Sequence, residues 1–275
     1  MLDNATIAFV GSGVMAEAMI KGVLKQNLVL PDHIVASGPR AERGQQLEDR
    51  YGVHWTTANK EATSQADIVV LSVKPQVLPK VLAEVQGTIP TKALVLSIVA
   101  GATIATIRNR LAHNAVVRAM PNTPAQVGAG MTVWTVSEET SDVQRSQARV
   151  ILAALGEEIL VGDENSVDMA TALSGTGPAY VFLFMEALID AGVHLGFSRR
   201  IAQKLVLQTV LGSAMFAKES QTHPAELRNM VTSPGGTSAE ALYQLEKGGL
   251  RTVLSRGVWA AYQRTRTLGG ANNEQ

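Results

Sequence analysis

The sequence predicts an α/β domain built on a doubly wound, mostly parallel sheet, followed by an all-helical domain. Three observations predict it. Short β-rich runs alternate with helix-like stretches from the first residues to about Gly162. One run, Ile68-Val69-Val70-Leu71, is apolar at consecutive positions, as a strand covered on both faces must be. After Gly162 no β-rich run of useful length follows. Strands alternating with helices read as βαβ units around a parallel sheet.

Taken in order, the strand candidates are Thr6–Val10, Ile34–Ala36, Ile68–Val73, Ala93–Val99, Val116–Met120 and Met131–Val136, with a weaker run at Glu158–Val161. Met15–Gln26, Arg40–Arg50 and Gln76–Gln86 are helix-like stretches between them. In the second half Pro178 opens a helix to about Leu195, because proline is tolerated at a first helical position. Ser198 caps a second, Ile201 to about Ala217, and Pro224 starts a third. Thr237-Ser238-Ala239-Glu240 has the form of a capping box for a fourth, which Gly248-Gly249 stops. A fifth runs from Leu250 to about Thr267, and the tail Gly269–Gln275 reads as disordered. The expected domains are therefore 1–162 and 163–275.

The second of these helices is apolar nearly all round: Ile201, Leu205, Leu207, Val210, Leu211 and Met215 do not share one face. A helix apolar on every side is buried on every side. So small a domain has little interior to spare, which implies completion by a second copy as a homodimer. The alternative is the central helix of a monomeric bundle.

Charge and composition exclude several classes. The 275 residues carry 24 basic and 24 acidic side chains, 14 of each in residues 1–162 and 10 of each in residues 163–275. Neither half is a polycation, so no nucleic-acid partner and no basic membrane-surface patch is expected. Absence of cysteine removes disulfides, thiolate metal sites and cysteine nucleophiles. The five histidines do not pair at metal-ligand spacing, so no metal is expected; His223, just before Pro224, reads as helix-start structure. Met1–Asn4 is short and polar, and the longest apolar stretch, Ala179–Ile189, is interrupted by Glu186. A cytoplasmic protein with no membrane partner is the expectation.

The strand Thr6–Val10 runs into Gly11-Ser12-Gly13-Val14-Met15-Ala16, a G-x-G-x-x-A turn opening a helix. Gly11 makes the tight turn, Gly13 lets the backbone approach a pyrophosphate, and Ala16 keeps helix and strand close. In this context the motif predicts a Rossmann-type dinucleotide site. An acid about 20 residues further on would hold a ribose hydroxyl. Here the second strand ends Ala36-Ser37-Gly38-Pro39-Arg40, and Asp32 precedes it. Hydroxyl and guanidinium donors favour a 2′-phosphate, hence NADPH, with NADH weaker. The remaining strand ends supply Val73, Lys74 and Pro75, then Ala100 and Gly101, then Asn122 and Thr123 as further cofactor contacts. Lys74 reads equally as a solvated loop lysine, and Asn122-Thr123 as a turn between prolines.

Two loops in the helical half place small residues before helix starts: Leu173–Tyr180 and Val231–Ser238. Backbone N–H groups there suit a carboxylate, with helix capping as the plainer role.

Together the segments Val10–Ala16, Val73–Gln76, Val117–Ala125, Leu173–Tyr180 and Ser233–Thr237 resemble the pyrroline-5-carboxylate reductase family, and His194–Gly249 is similar to it nearly throughout. The resemblance implies an N-terminal Rossmann domain and a C-terminal dimerisation domain. It implies reduction of a cyclic imine to L-proline with NAD(P)H, in dimers often assembled as decameric rings. By the same resemblance Ser12, Gly13, Val14 and Met15 hold cofactor, joined by Ser37 and Asn59. Ser233, Gly235, Gly236, Thr237 and Ser238 hold the substrate carboxylate. The chain departs from the family at Met230, where Asn is common, and at Thr237-Ser238. Imine reduction requires hydride, a held carboxylate and a proton on the ring nitrogen, which Thr176 or a water would orient. The β-hydroxyacid dehydrogenases share the architecture but rely on a helical lysine, and no lysine lies between Lys92 and Lys204. A non-catalytic NADP-binding sensor would not need the second loop.

Overall fold

The structure, a computed structural model, describes Leu2 and residues 5–268. Among the described residues, one compact unit runs to Gly177 and includes 260–268; the other is Pro178–Trp259. The expected tail Gly269–Gln275 lies outside the described residues.

The described part of the first unit contains an eight-stranded sheet. Its strands are β1 (Ile7–Val10), β2 (Ile34–Ser37), β3 (His54–Thr56), β4 (Ile68–Leu71), β5 (Leu94–Ser97), β6 (Val116–Met120), β7 (Gly130–Val136) and β8 (Gly156–Leu160). Their order is β3-β2-β1-β4-β5-β6-β7-β8, parallel throughout except for β6 against β7. The helices are α1 (Val14–Lys25), α2 (Ala41–Tyr51), α3 (Asn59–Thr63), α4 (Leu78–Val85), α5 (Ile104–Leu111), α6 (Asp142–Ala153) and α7 (Glu164–Ala170).

Side-chain alternation divides the core. Ile7, Phe9, Ile68 and Val70 pack in one cluster with α1 and α6; Ala8, Val10, Val69 and Leu71 pack in the other with α4 and α5. The helices answer with buried residues at helical spacing: Ala16, Met19, Ile20 and Val23 in α1, and Leu78, Val81, Leu82 and Val85 in α4. Each such side chain contributes about 1.5–3 kcal/mol on burial. The continuous apolar strand read at Ile68–Leu71 is thus covered on both sides.

Some elements escaped the sequence pattern. β3 has only three residues at the sheet edge. α6 is announced by a capping box, Ser141 with Gln144. α7 extends the first unit beyond Gly162. Arg118 of β6, 2% exposed, donates to Glu164 (2.9 Å) and to Asp168. Glu164 also accepts from the Ile104 backbone at the start of α5 (2.8 Å). One buried guanidinium therefore ties α7 to the sheet, within the compact unit whose first stretch runs to Gly177. The turn Thr171–Gly175 that follows is π-helical.

The helices of the second half are α8 (Gly177–His194), α9 (Arg199–Ser220), α10 (Pro224–Met230), α11 (Thr237–Lys247) and α12 (Leu250–Leu268), whose last turns belong to the first unit. Ser198 caps α9 through the Ile201 N–H (3.4 Å). His223 starts α10, its Nδ1 accepting from the Ala225 N–H (3.2 Å). The capping box expected at Thr237 is not formed. Thr237 is already the first residue of α11, Gly236 is the N-cap with no side-chain bond, and Glu240 accepts from Gln244 one turn on instead.

Only Ala202 of α9 is buried, and Ile201, Leu205, Leu211 and Met215 are each about half exposed. α8 likewise exposes Phe182 and Leu183. A central helix of a monomeric bundle would be covered; this one is not. The run Glu164–His194 is long and apolar enough to cross a membrane by length and composition alone, a property that an uncovered association helix shares.

Asp168→Ala removes one of the two carboxylates facing Arg118. It is expected to lower unfolding stability by about 3 kcal/mol, as for other broken buried pairs. Urea denaturation monitored by intrinsic tryptophan fluorescence measures it.

Candidate functional site

β1 lies between β2 and β4, so the chain crosses over β1 between β3 and β4. This reversal opens a crevice at the carboxyl ends of β1 and β4, where open α/β sheets bind ligands. Gly11 leaves β1 with φ +105°, and a Cβ there would lie 2.7 Å from the Ser72 carbonyl oxygen. Only glycine meets both conditions. Ser72, at the end of β4, donates its hydroxyl to the Gly11 carbonyl (2.7 Å), and the Gly11 N–H donates to the Ser37 carbonyl (2.9 Å). The turn is thus pinned from both neighbouring strands.

Gly13 is the N-cap of α1 and has no side chain to cap it, and a Cβ built on it meets nothing within 4 Å. The first turn of α1 therefore presents N–H groups beside open space, the cradle that a pyrophosphate requires. Ser12, Val14 and Met15 lie at the same helix start, with Val14 exposed. At the end of β2 no carboxylate follows Ser37, and Asp32 stands in the short turn before the strand. Arg40 is exposed at the N-cap of α2.

Other candidate side chains are already engaged within the protein. Ser37 is fully buried, and its hydroxyl donates to Asn59 Oδ1 (2.8 Å). Asn59 in turn donates to Glu84 (3.0 Å). Asn122, 9% exposed, accepts from the Met131 N–H (2.8 Å) and donates to the Ser174 carbonyl (3.0 Å). Its amide braces β7 and the π-turn, so its own side chain is a bracket before it is a ligand. Thr176 donates its hydroxyl to the Thr171 carbonyl (2.9 Å), which closes the same turn. That proton is spent, and lone pairs remain. Val73, Pro75 and Ala100 are partly exposed, Lys74 and Thr123 exposed, and Gly101 buried.

Sequence reading passed over Ser72 as a ligand-loop anchor and missed Arg43 and Glu17. Arg43 of α2 donates Nε to the Ser12 carbonyl (2.9 Å) and Nη2 to Glu17 of α1. Arg50 (2.6 Å) and Tyr51 (2.9 Å) donate to the other Glu17 oxygen. Burial pushes the Glu17 carboxyl up, but hydrogen bonds from Arg43 and Tyr51, with the Arg43 charge, outweigh it and hold it below the usual range. An acidic residue in the first turn of a helix was the one available signal for Glu17.

The second unit holds the other loop. Gly235 has φ +68°, and the Gly236 N–H donates to the Ser233 carbonyl (3.0 Å). With no side chain capping α11, the N–H groups of its first turn, from Thr237 and Ser238 onward, remain for an external acceptor. The plainer capping role is therefore not filled.

A glycine turn at a sheet switch point, feeding an uncapped helix, defines a dinucleotide-binding protein of the oxidoreductase class. Family models match residues 6–101 as "NADP oxidoreductase coenzyme F420-dependent" and residues 164–268 as "Pyrroline-5-carboxylate reductase dimerisation". The pyrroline-5-carboxylate reductase of Synechocystis is 43% identical over 263 residues, covering 96% of this chain and 98% of its own. That of Corynebacterium melassecola is 40% identical over 268 residues, covering 96% and 98%. The crystal structure of the Plasmodium falciparum enzyme with NADP bound superposes with a TM-score of 0.89 at 32% identity, covering 97% and 98%. The chain belongs to the pyrroline-5-carboxylate reductase family.

Gly11→Ala is expected to abolish nucleotide binding and to cost more than about 1 kcal/mol of stability, since strain and overlap add. Isothermal titration with NADPH and thermal denaturation test both halves. Glu17 supplies a second test. Its depressed carboxyl contributes stability above the unfolded value of 4.5, and that contribution is lost as pH falls through the folded value. Wild type should therefore exceed Glu17→Gln in stability at pH 7, and the gap should close in acid. A constant gap from pH 7 to 3 would contradict this assignment.

Proposed function

We propose that the protein reduces 1-pyrroline-5-carboxylate to L-proline, taking hydride from NADPH in preference to NADH. The observation that carries the reading is the presence of two uncapped glycine-led helix starts in a member of this family, at Gly13 and Gly236. One suits a pyrophosphate and the other a carboxylate. In this reading residues 1–162 are the NADP-binding part and 163–275 the dimerisation and substrate-binding part. The nucleotide contacts are Gly11 through Met15, then Arg40, with Val73, Lys74, Pro75, Ala100, Gly101 and Thr123 along the strand ends. Ser37, Asn59 and Asn122 shape that rim from behind, through the bonds described above.

When bound, the dinucleotide supplies the hydride. The protein's part is placement, which accounts for most of the acceleration where no covalent intermediate is needed. Ser233, Gly235, Gly236, Thr237 and Ser238 hold the substrate carboxylate through backbone N–H groups. Protonation of the ring nitrogen makes C5 electrophilic. Thr176, its own proton committed to Thr171, offers a lone pair to the iminium N–H and so orients it.

The assembly is a homodimer through the exposed apolar helices, and dimers join as a decameric ring in the cytoplasm. Absence of a carboxylate after β2, together with exposed Arg40, supports NADPH.

Following NADPH absorbance with pyrroline-5-carboxylate tests the activity. Turnover is expected; NADPH binding without turnover would leave a nucleotide sensor instead. Arg40→Glu should weaken NADPH by about tenfold or more while sparing NADH, the scale of one lost charge-assisted hydrogen bond. Equal loss for both nucleotides would remove Arg40 from the phosphate site.

A further inference from the structure

We propose that Arg43 is a positioning residue for the nucleotide loop, fixing the plane of the Ser12–Gly13 peptide from behind while Glu17 keeps its guanidinium away from the nucleotide. The inference rests on the nucleotide site proposed above and concerns how that site is aimed.

The geometry is specific. Arg43 Nε donates to the Ser12 carbonyl at 2.9 Å, and Nη2 pairs with Glu17 Oε2. Both side chains are largely shielded, at 18% and 17% exposure. In a planar trans peptide the C=O and the following N–H point in opposite directions. Holding the Ser12 oxygen toward α2 therefore turns the Gly13 N–H the other way. A cationic donor on the carbonyl also polarises the peptide and strengthens its N–H as a donor.

Glu17 makes the arrangement stable. Its own N–H donates to the Gly13 carbonyl (3.0 Å), so it sits one turn above the loop. Arg50 and Tyr51 occupy Oε1, which leaves Oε2 for Arg43. Arg43 is thus held by α1 at one end and by the loop at the other. Arg40, three residues earlier and exposed, is the guanidinium left for a phosphate. Two arginines on one helix start then have different tasks: Arg40 contacts the ligand and Arg43 shapes its cradle.

The test measures Kd for NADPH and NADH by fluorescence titration on the full chain, with Tm in parallel, for wild type, Arg43→Gln and Arg43→Lys. Positioning predicts that both nucleotides weaken together, by about tenfold, with their ratio unchanged. Arg43→Lys keeps a charge beside Glu17 but cannot serve both partners with a forked head. It should retain Tm and still show the loss, which keeps the test valid if Arg43→Gln fails to fold. Selective loss of NADPH would make Arg43 a phosphate ligand and overturn the inference. Unchanged Kd values beside a lowered Tm would make the contact merely structural and overturn it too. Failure of wild type to bind either nucleotide would instead refute the nucleotide site itself.

Discussion

The approach of the Gly11 backbone to the end of β4 is the constraint on which the nucleotide half depends. A side chain at that position would collide with a carbonyl, not with a movable group, so the contact admits no adjustment. It follows from β1 sitting between β2 and β4, and so from the crossover that sends the chain from β3 to the far side of β1. The turn that leaves β1 has room only between two neighbours. Ser72 on one side and the Ser37 carbonyl on the other fix where it ends. The direction of α1, and with it the placement of the anion cradle, is set there.

Both proposed ligand loops solve the same problem in the same way. Each helix begins at a glycine N-cap without a side-chain bond, although capping residues stand nearby. A glycine N-cap costs a helix only about a few tenths of a kcal/mol relative to a Ser or Asp. The N–H groups so released are what a pyrophosphate or a carboxylate needs. Side chains cap other helix starts, where Thr103, Ser141, Asp163 and Ser198 all accept backbone bonds, while α2, α3 and α4 begin at Arg40, Ala58 and Val77 without a side-chain cap.

Much of this was legible in the sequence, and the limits have physical causes. Strands β1, β4 and β5 declare themselves by consecutive apolar residues, and the glycine turn by its position after β1. The Thr237–Glu240 pattern misled because a capping box is a pattern of residue types, while the actual N-cap depends on where the Gly235 turn releases the chain. Gly235 takes a left-handed φ and Gly236 becomes the cap, so Thr237 moves inside the helix. The Arg43–Glu17 contact was invisible for another reason. Its partners lie 26 positions apart and meet only because α1 and α2 pack on one face of the sheet. The commitment of Asn122 to backbone groups of β7 and the π-turn, and of Ser37 to the Asn59 side chain, is likewise a tertiary fact. A polar residue at a strand end reads the same whether it faces ligand or braces a turn.

The exposed apolar surface of α9 has a consequence for what stability means in this protein. In the proposed homodimer Leu205, Leu211 and Met215, left half in water by one chain, lose that exposure only when a second chain arrives, so the helical half gains its missing burial in a bimolecular step. Its melting temperature then rises with protein concentration, and dilution acts as a denaturant. A stability value measured for this chain belongs to an amount of protein as much as to a sequence.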